Sequence, residues 1–597
     1  MEHFRSKRVY SLSDSVEDGN EIRMKYCTEL KEDQSIADKT TDKSNYGTVS
    51  TFSNFMSHTK DVISHDYSSV LDEKIHVPES ENYDFSWKKL WAFSGPGFLM
   101  SIAYLDPGNI EADLKAGTEA KYALLWILMW ATILGLFIQR LAARLGAVTG
   151  EDLAETCRRR FTPLPRYTLW IMLEITIIAA DMQEVIGTAI ALYLLSSKKI
   201  PIWGGVLLTI FDTFTFLFLD KYGLRKLEAF FAFLIAVMAV TFGYEYIMVQ
   251  PDQVEVVKGL FIPGCASCSS RVLLQAVGIV GALITPHNLY LHSSLVKSRQ
   301  INRKNKAEVS DANRYYFIES AIALFVSLVI NIFVIGVFAA GMNDVTNSHV
   351  SNLCHERGIN ASDVFDEGES IISGDIYRGG IFLGCEFGTA YLYIWAVGLL
   401  AAGQSSTMTG TYTGQFVMEG FLHMKWKRWK RVLLTRTIAI LPTVSVAVMQ
   451  DVNHVSGMND FLNALMSMQL PFALLTTYLF TASKTLMGDF VNDRKNNIFM
   501  GVVTTFLISL NLYFVTNFVM ETLPMTWIVF ICFGIFLVFY TVVLGFLTLC
   551  LLVVLGCNRL TKLPVVGVYL EERYEFTDFT KLVESTETLN EVKMVPQ

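Results

Sequence analysis

Residues 94–109 read SGPGFLMSIAYLDPGN, and this stretch decides the fold class. An apolar run begins after Ser94 and meets a carboxylate, a proline, a glycine and an amide at Asp106, Pro107, Gly108 and Asn109. A carboxylate in hydrocarbon is costly, so it stays only where it is paired or used. Pro107 has no N–H, so the carbonyl four residues earlier, that of Ala103, loses its helical donor. Gly108 lets the backbone leave helical geometry. The expected result is a helix broken in mid-membrane, with the Asp106 carboxylate, the Asn109 amide and the Ala103 carbonyl at the break.

The same device recurs at 278–288, GIVGALITPHN. Pro286 frees the Ala282 carbonyl by the same rule. Thr285 offers a hydroxyl and His287 an imidazole. Non-helical backbone at this depth is tolerated only where protein or a polar cavity surrounds it. Two ordinary proline kinks would account for the prolines. They would not account for Asp106 and Asn109 flanking one kink and His287 flanking the other.

Around these breaks the 597-residue chain is 52% hydrophobic and only 18% charged, with mean hydropathy +0.36. That balance points to a chain solvated by lipid. It carries no basic face for nucleic acid. Its nine cysteines lie mostly in apolar runs and form no disulfide scaffold. No nucleophile and base stand together in the apolar segments, so the chain is not read as an enzyme.

Apolar stretches long enough to cross a bilayer are expected near 94–113, 122–145, 168–195, 202–219, 228–250, 271–296, 315–341, 385–412, 432–450, 458–481, 497–518 and 525–552. Alternate loops are rich in Lys and Arg, such as Arg158–Arg160, Lys221 to Lys226, Lys297 to Lys306, Lys425 to Lys430 and Lys484 to Lys495. Lys198 and Lys199 are a mild exception. This asymmetry puts both termini in the cytoplasm. The expected organisation is a disordered cytoplasmic tail over 1–87, five-helix repeats over 88–255 and 256–483, helices eleven and twelve over 484–555, and a cytoplasmic tail over 556–597. The second repeat includes an outside loop at 342–384.

That loop holds an N-glycosylation acceptor at Asn360. Cys265 and Cys268 also fall outside, as a loop disulfide or without special role, and Cys354 and Cys385 are candidates for an outside pair. Tyr67 to Val70 fits a tyrosine-based sorting signal, so sorting adaptors are candidate partners of the tail.

Each break opens a block of five spans, and an odd number inverts the second block relative to the first. Inverted repeats with discontinuous first helices are a transporter plan, with the substrate bound at the breaks. In the third span Asp181 and Glu184 share a helix face by their spacing of three. They read either as a proton path or as an internal ion pair, such as Asp181 with Arg436.

The chain resembles the Nramp family of proton-coupled divalent metal transporters. Asp106-Pro107-Gly108-Asn109 matches its first-helix signature, and Ala282 to His287 matches its sixth-helix signature with one change. Asn288 to Gln300 is similar to animal members. The likeness runs over about 88–555. It implies an all-α, polytopic, LeuT-like fold with discontinuous helices one and six. It also implies metal ligation by Ala103, Asp106, Asn109, Ala282 and Gln469, and a proton path through Asp181, Glu184, His287, His292 and Arg436.

No cofactor is implied; metal ion and proton are the substrates. The departure is Thr285, where the family usually has Met. A thioether is soft and a hydroxyl hard, so selection against calcium and magnesium should weaken, and so should preference for cadmium. A plant branch of the family associated with aluminium resembles this chain in having Thr there.

The expected function is import of manganese or iron with relaxed selectivity, at the plasma membrane or an endosomal or lysosomal membrane. Alternatives are transport of calcium, magnesium, aluminium or amino acids on the same fold, or a metal-sensing membrane protein that does not transport.

Overall fold

The structure is a computed structural model, described over residues 74–78, 85–219, 224–264, 269–359, 361, 364–365, 368–423, 428–449, 452–522 and 526–557. The Tyr67 motif, Cys265 and Cys268, the Asn360 acceptor and the C-terminal tail lie outside the described residues. Each of the twelve expected spans coincides with a helix or a pair of helices. Span one is Pro96–Ser101, a 3₁₀ turn Ile102–Tyr104, and Pro107–Ala120. Spans two to five are Leu125–Thr149, Pro163–Leu195, Ile202–Leu219 and Leu224–Val249. Span six is Ser270–Leu283 followed by Pro286–Leu295. Spans seven to twelve are Lys306–Gly341, Thr389–Leu422, Arg428–Met449, Val452–Ala482, Arg494–Thr522 and Trp527–Val554.

Among the described residues, seven of these helices are long and apolar enough to cross a membrane on length and composition alone. Spans one and six fall short because their breaks leave helical pieces of at most 14 residues. Span eight is polar at its centre, where residues 404–413 read QSSTMTGTYT.

Burial separates core from periphery. The most apolar stretch is 83% buried in span three and 89% in span ten, against 39% in span eleven and 22% in span twelve. Spans three and ten are therefore the centre of the bundle. Span twelve turns Ile531, Ile535, Val538 and Val542 outward, as a helix facing hydrocarbon would. Small residues bring the central helices together. A Cβ on Gly187 of span three would collide with Pro107, and one on Gly146 of span two with the carbonyl oxygen of Ser293.

Three expectations need correction. The tail was drawn to residue 87, but the chain is already tied down at 74–78. Ile75 N donates to Ser298 O at 2.9 Å and Ile75 O accepts from Gln300 N at 3.0 Å. Val77 packs on the cluster of Phe93, Tyr315 and Tyr316, so this apolar contact adds to the two backbone bonds of Ile75. Second, the segment 342–384, expected as an outside loop, holds helix Asn347–Glu356 and most of helix Ile376–Phe387. Span eight starts at Thr389 rather than 385, because Gly388 takes φ 110° and divides the two helices. Cys354 and Cys385 are disulfide-bonded and join them. Third, the repeat boundary at 255/256 cuts the short helix Gln253–Phe261.

Candidate metal and proton pathway

At the first break the backbone leaves the helix at Leu105 and is extended at Asp106, with φ −71° and ψ 163°. Asp106 caps the helix that Pro107 begins, and its carboxylate accepts from Asn109 N at 2.7 Å. A proline at the first helical position loses nothing, since that N–H has no helical acceptor. The carbonyls stranded by the break find side-chain donors. Ser327 of span seven donates to Ser101 O at 3.1 Å, and Asn331 donates to Tyr104 O at 3.0 Å.

The freed Ala103 carbonyl is not vacant. It accepts from Asn109 Nδ2 at 3.1 Å, which leaves Asn109 Oδ1 buried and without a partner. An ion that took both oxygens would have to displace that amide hydrogen bond.

The second break mirrors the first. Ile284 (φ −100°, ψ 77°) and Thr285 (φ −84°, ψ 140°) are non-helical. Thr285 stands at the N-cap position of the helix opened by Pro286 without the side-chain cap bond that Asp106 makes, and its hydroxyl accepts from Asn288 Nδ2. Thr285 and Asn288 are 1% exposed and His287 5%, so the break is closed off from solvent. His287 Nδ1 and Asn288 Oδ1 have no partner. In span ten Gln469 is buried, and its Oε1 is likewise without a partner. Ser467, two residues before it, lies against Gly281 just before the second break.

Among the described residues no three His, Cys, Asp or Glu side chains cluster as a metal cage. The breaks instead carry one carboxylate with neutral amide, hydroxyl and carbonyl oxygens.

The acidic pair of span three is brought against span nine. Arg436 Nη2 lies 3.5 Å from Asp181 Oδ1 and 3.5 Å from Glu184 Oε2. The same nitrogen donates to the Thr407 carbonyl and to Thr411 Oγ1 of span eight. A Cβ on Gly410 would stand 2.8 Å from Asp181 Oδ1, so span eight offers bare backbone where the acids sit.

The histidines are placed apart from this group. His292 Nδ1 pairs with Gln139 Oε1 of span two at 3.1 Å. Among the described residues no hydrogen bond or ion pair joins either His287 or His292 to Asp181 or Glu184.

A second polar group lies beyond the candidate residues expected from the sequence. Lys115 Nζ bonds Glu111 Oε1 at 2.9 Å and Asp460 Oδ1 at 2.6 Å, and Asn459 donates to Glu111. Gln183 donates to Asn463 Oδ1 at 2.8 Å and to Asn459 O at 3.2 Å. These bonds tie the second half of span one and span three to span ten. Glu111 was visible as a charge in an apolar segment. Lys115 was not, because the span was ended at 113.

The family model described as natural resistance-associated macrophage protein-like matches residues 97–517. Natural resistance-associated macrophage protein 2 of Mus musculus is 60% identical over 455 residues, covering 76% of this chain and 80% of that protein. Protein Malvolio of Drosophila melanogaster is 60% identical over 451 residues, covering 74% and 76%. A crystal structure of a mutant Eremococcus coleocola manganese transporter superposes with TM-score 0.69 at 31% identity, over 82% of this chain and 99% of that one. Two broken helices, an all-α bundle and a family match across most of the spans agree: this chain is an integral membrane protein of the Nramp family.

Proposed function

We propose that this chain imports divalent transition-metal ions into the cytoplasm by alternating access, coupled to protons, with manganese or iron as the preferred cargo. The observation that carries the reading is the pair of mid-span breaks. They hold one buried carboxylate, Asp106, and the buried, unpartnered amide oxygen Asn109 Oδ1, and span ten adds Gln469 Oε1, also buried without a partner. The Ala103 and Ala282 carbonyls and the Thr285 hydroxyl complete the proposed donor set. The similar bacterial protein is a manganese transporter, which supports the same cargo. The breaks open the proposed repeats 88–255 and 256–483.

A divalent ion entering a negative cytoplasm gains about 2.3 kcal/mol per charge per 100 mV. A proton moving inward from an acidic compartment adds to that drive. We assign the proton route to Asp181, Glu184 and Arg436, with His287 and His292 as further members on separate contacts. The lysine and arginine distribution supports cytoplasmic termini, and the Asn360 acceptor suits either the cell surface or an endosomal or lysosomal membrane.

The test is a metal-uptake panel in proteoliposomes with an imposed pH gradient. Manganese and iron uptake should rise as the outside pH falls from about 7.5 to about 5.5, the range in which imidazole titrates, and Asp106→Ala should abolish it. Metal binding without uptake would instead support a metal-sensing role, and flux indifferent to pH would refute coupling.

A further inference from the structure

We propose that a basic pocket between spans two and seven binds the phosphorylated headgroup of an anionic lipid. The pocket encloses about 360 Å³ and is lined by Arg140 and Arg144 of span two, Asn313, Arg314 and Ser320 of span seven, and Phe490 of the connector after span ten.

Four other buried or half-buried cations among the described residues are matched by carboxylates. Lys89 pairs with Asp311, Lys115 with Glu111, Lys297 with Asp152 and Arg299 with Glu228. None of the three arginines of the pocket forms an ion pair among the described residues; Arg144 is half-buried, and Arg140 and Arg314 are exposed. Arg140 lies over the Phe317 ring, 5.1 Å from its centroid. Arg144 spends one nitrogen on the neutral Asn492 side chain, and Asp493 acts on it only through space.

Three further polar atoms in the pocket wall are buried without a partner: Arg144 Nε, Asn313 Nδ2 and Ser320 Oγ. Buried donors are normally satisfied, so guanidinium and neutral donors facing one cavity without an acceptor call for an anion. Guanidinium forks match phosphate oxygens bidentately.

The surroundings favour a lipid over a soluble phosphate. Arg140 and Arg144 stand near the end of Leu125–Thr149, and Arg314 near the start of Lys306–Gly341. These ends adjoin the basic loops, and so the negatively charged cytoplasmic leaflet. From the pocket toward the bilayer centre the same faces become apolar and exposed. Phe137, one turn before Arg140, is 37% exposed and meets the Phe499 ring at 5.4 Å. Ile322 and Phe325 continue the face of Arg314 and are 45% and 63% exposed. A headgroup in the pocket would have acyl chains along this strip. It would also touch the helical turn carrying Glu319, whose carboxylate holds the Gly95 and Gly97 amides of span one.

The test uses the full chain, purified in detergent and titrated with dioctanoyl phosphatidylinositol bisphosphate, with dioctanoyl phosphatidylcholine and free inositol trisphosphate as parallel probes. Saturable binding of the bisphosphate lipid and none of phosphatidylcholine is expected. The exposed pair Arg140→Gln/Arg314→Gln should weaken binding about tenfold or more, with an unchanged thermal midpoint. The pair Arg140→Lys/Arg314→Lys should keep most of the affinity. Undiminished binding by the Gln pair, or equal binding of phosphatidylcholine, overturns the site. Inositol trisphosphate binding as tightly as the lipid overturns the lipid assignment and leaves a soluble phosphate as the ligand.

Discussion

Thr285 is where the proposed metal site asks one side chain to set selectivity. It is buried, stands at the N-cap position of the second half of span six, and presents a hard oxygen where the family usually has a soft sulfur. Thr285→Met should raise the cadmium-to-calcium uptake ratio several-fold, because thioether donors select softer ions; competition assays in proteoliposomes would show no change if the position does not face the ion.

Arg436 makes a different kind of prediction. It is the cation set against two buried carboxylates, Asp181 and Glu184. Arg436→Gln strands that charge and should destabilise the protein by roughly 3–5 kcal/mol. Adding Asp181→Asn should recover part of the loss, a coupling that a double-substitution cycle of thermal unfolding measures. Asp181→Asn alone should flatten the pH response of uptake if the pair conducts protons. If the pair is only structural, the pH profile should keep its shape while stability changes.

At the scale of elements, glycines set how closely the helices approach, and not all glycines are equal. Gly146 lets span two lie against the backbone of the second half of span six, where a methyl group would meet the Ser293 carbonyl. Neither backbone can yield, so Gly146→Ala should cost about 1–3 kcal/mol and lower the thermal midpoint in detergent. Gly534 of span twelve has nothing within 4 Å of a built Cβ, so Gly534→Ala should be neutral in the same assay.

The breaks themselves were legible in the sequence, because a proline removes a donor whatever surrounds it. What happens to the released carbonyls was not. Ser327, Asn331 and Asn109 supply the donors, and two of the three come from a helix more than two hundred residues away in sequence. The division at Gly388 was missed for a related reason: an apolar stretch continues through it, and only the φ of 110° shows the turn.

For the whole molecule, the relevant contacts are those that hold the start of span one. The chain breaks once more at Gly95, with φ 138°, between Trp87–Phe93 and Pro96–Ser101. Glu319 Oε1 accepts from Gly95 N at 2.6 Å and Gly97 N at 2.9 Å. Arg225 donates to Ala92 O at 2.8 Å and Ser94 O at 2.9 Å, and Arg299, paired with Glu228, reaches the same two carbonyls. This latch gathers residues from spans one, five and seven and from the loop after span six. On the proposed alternating-access mechanism the start of span one must be released, so Glu319→Ala should increase labelling of a Ser94→Cys probe by a water-soluble thiol reagent several-fold. Equal labelling in both backgrounds would show that Glu319 does not hold the segment.

The sequence by itself determined the solvent of this protein, its number of spans, the positions of its two mid-membrane breaks and the chemical kinds of oxygen at them. Those follow from local rules: hydropathy over span length, the missing N–H of proline, and the cost of a carboxylate in hydrocarbon. Only the tertiary structure decided which of those oxygens are spoken for. The Ala103 carbonyl is bonded to Asn109, Asp181 and Glu184 share Arg436, and His292 turns to Gln139 instead of the acidic pair. Each of those outcomes depends on which side chain another segment brings within hydrogen-bonding distance. For most of them that segment is remote in sequence, and no local pattern encodes it.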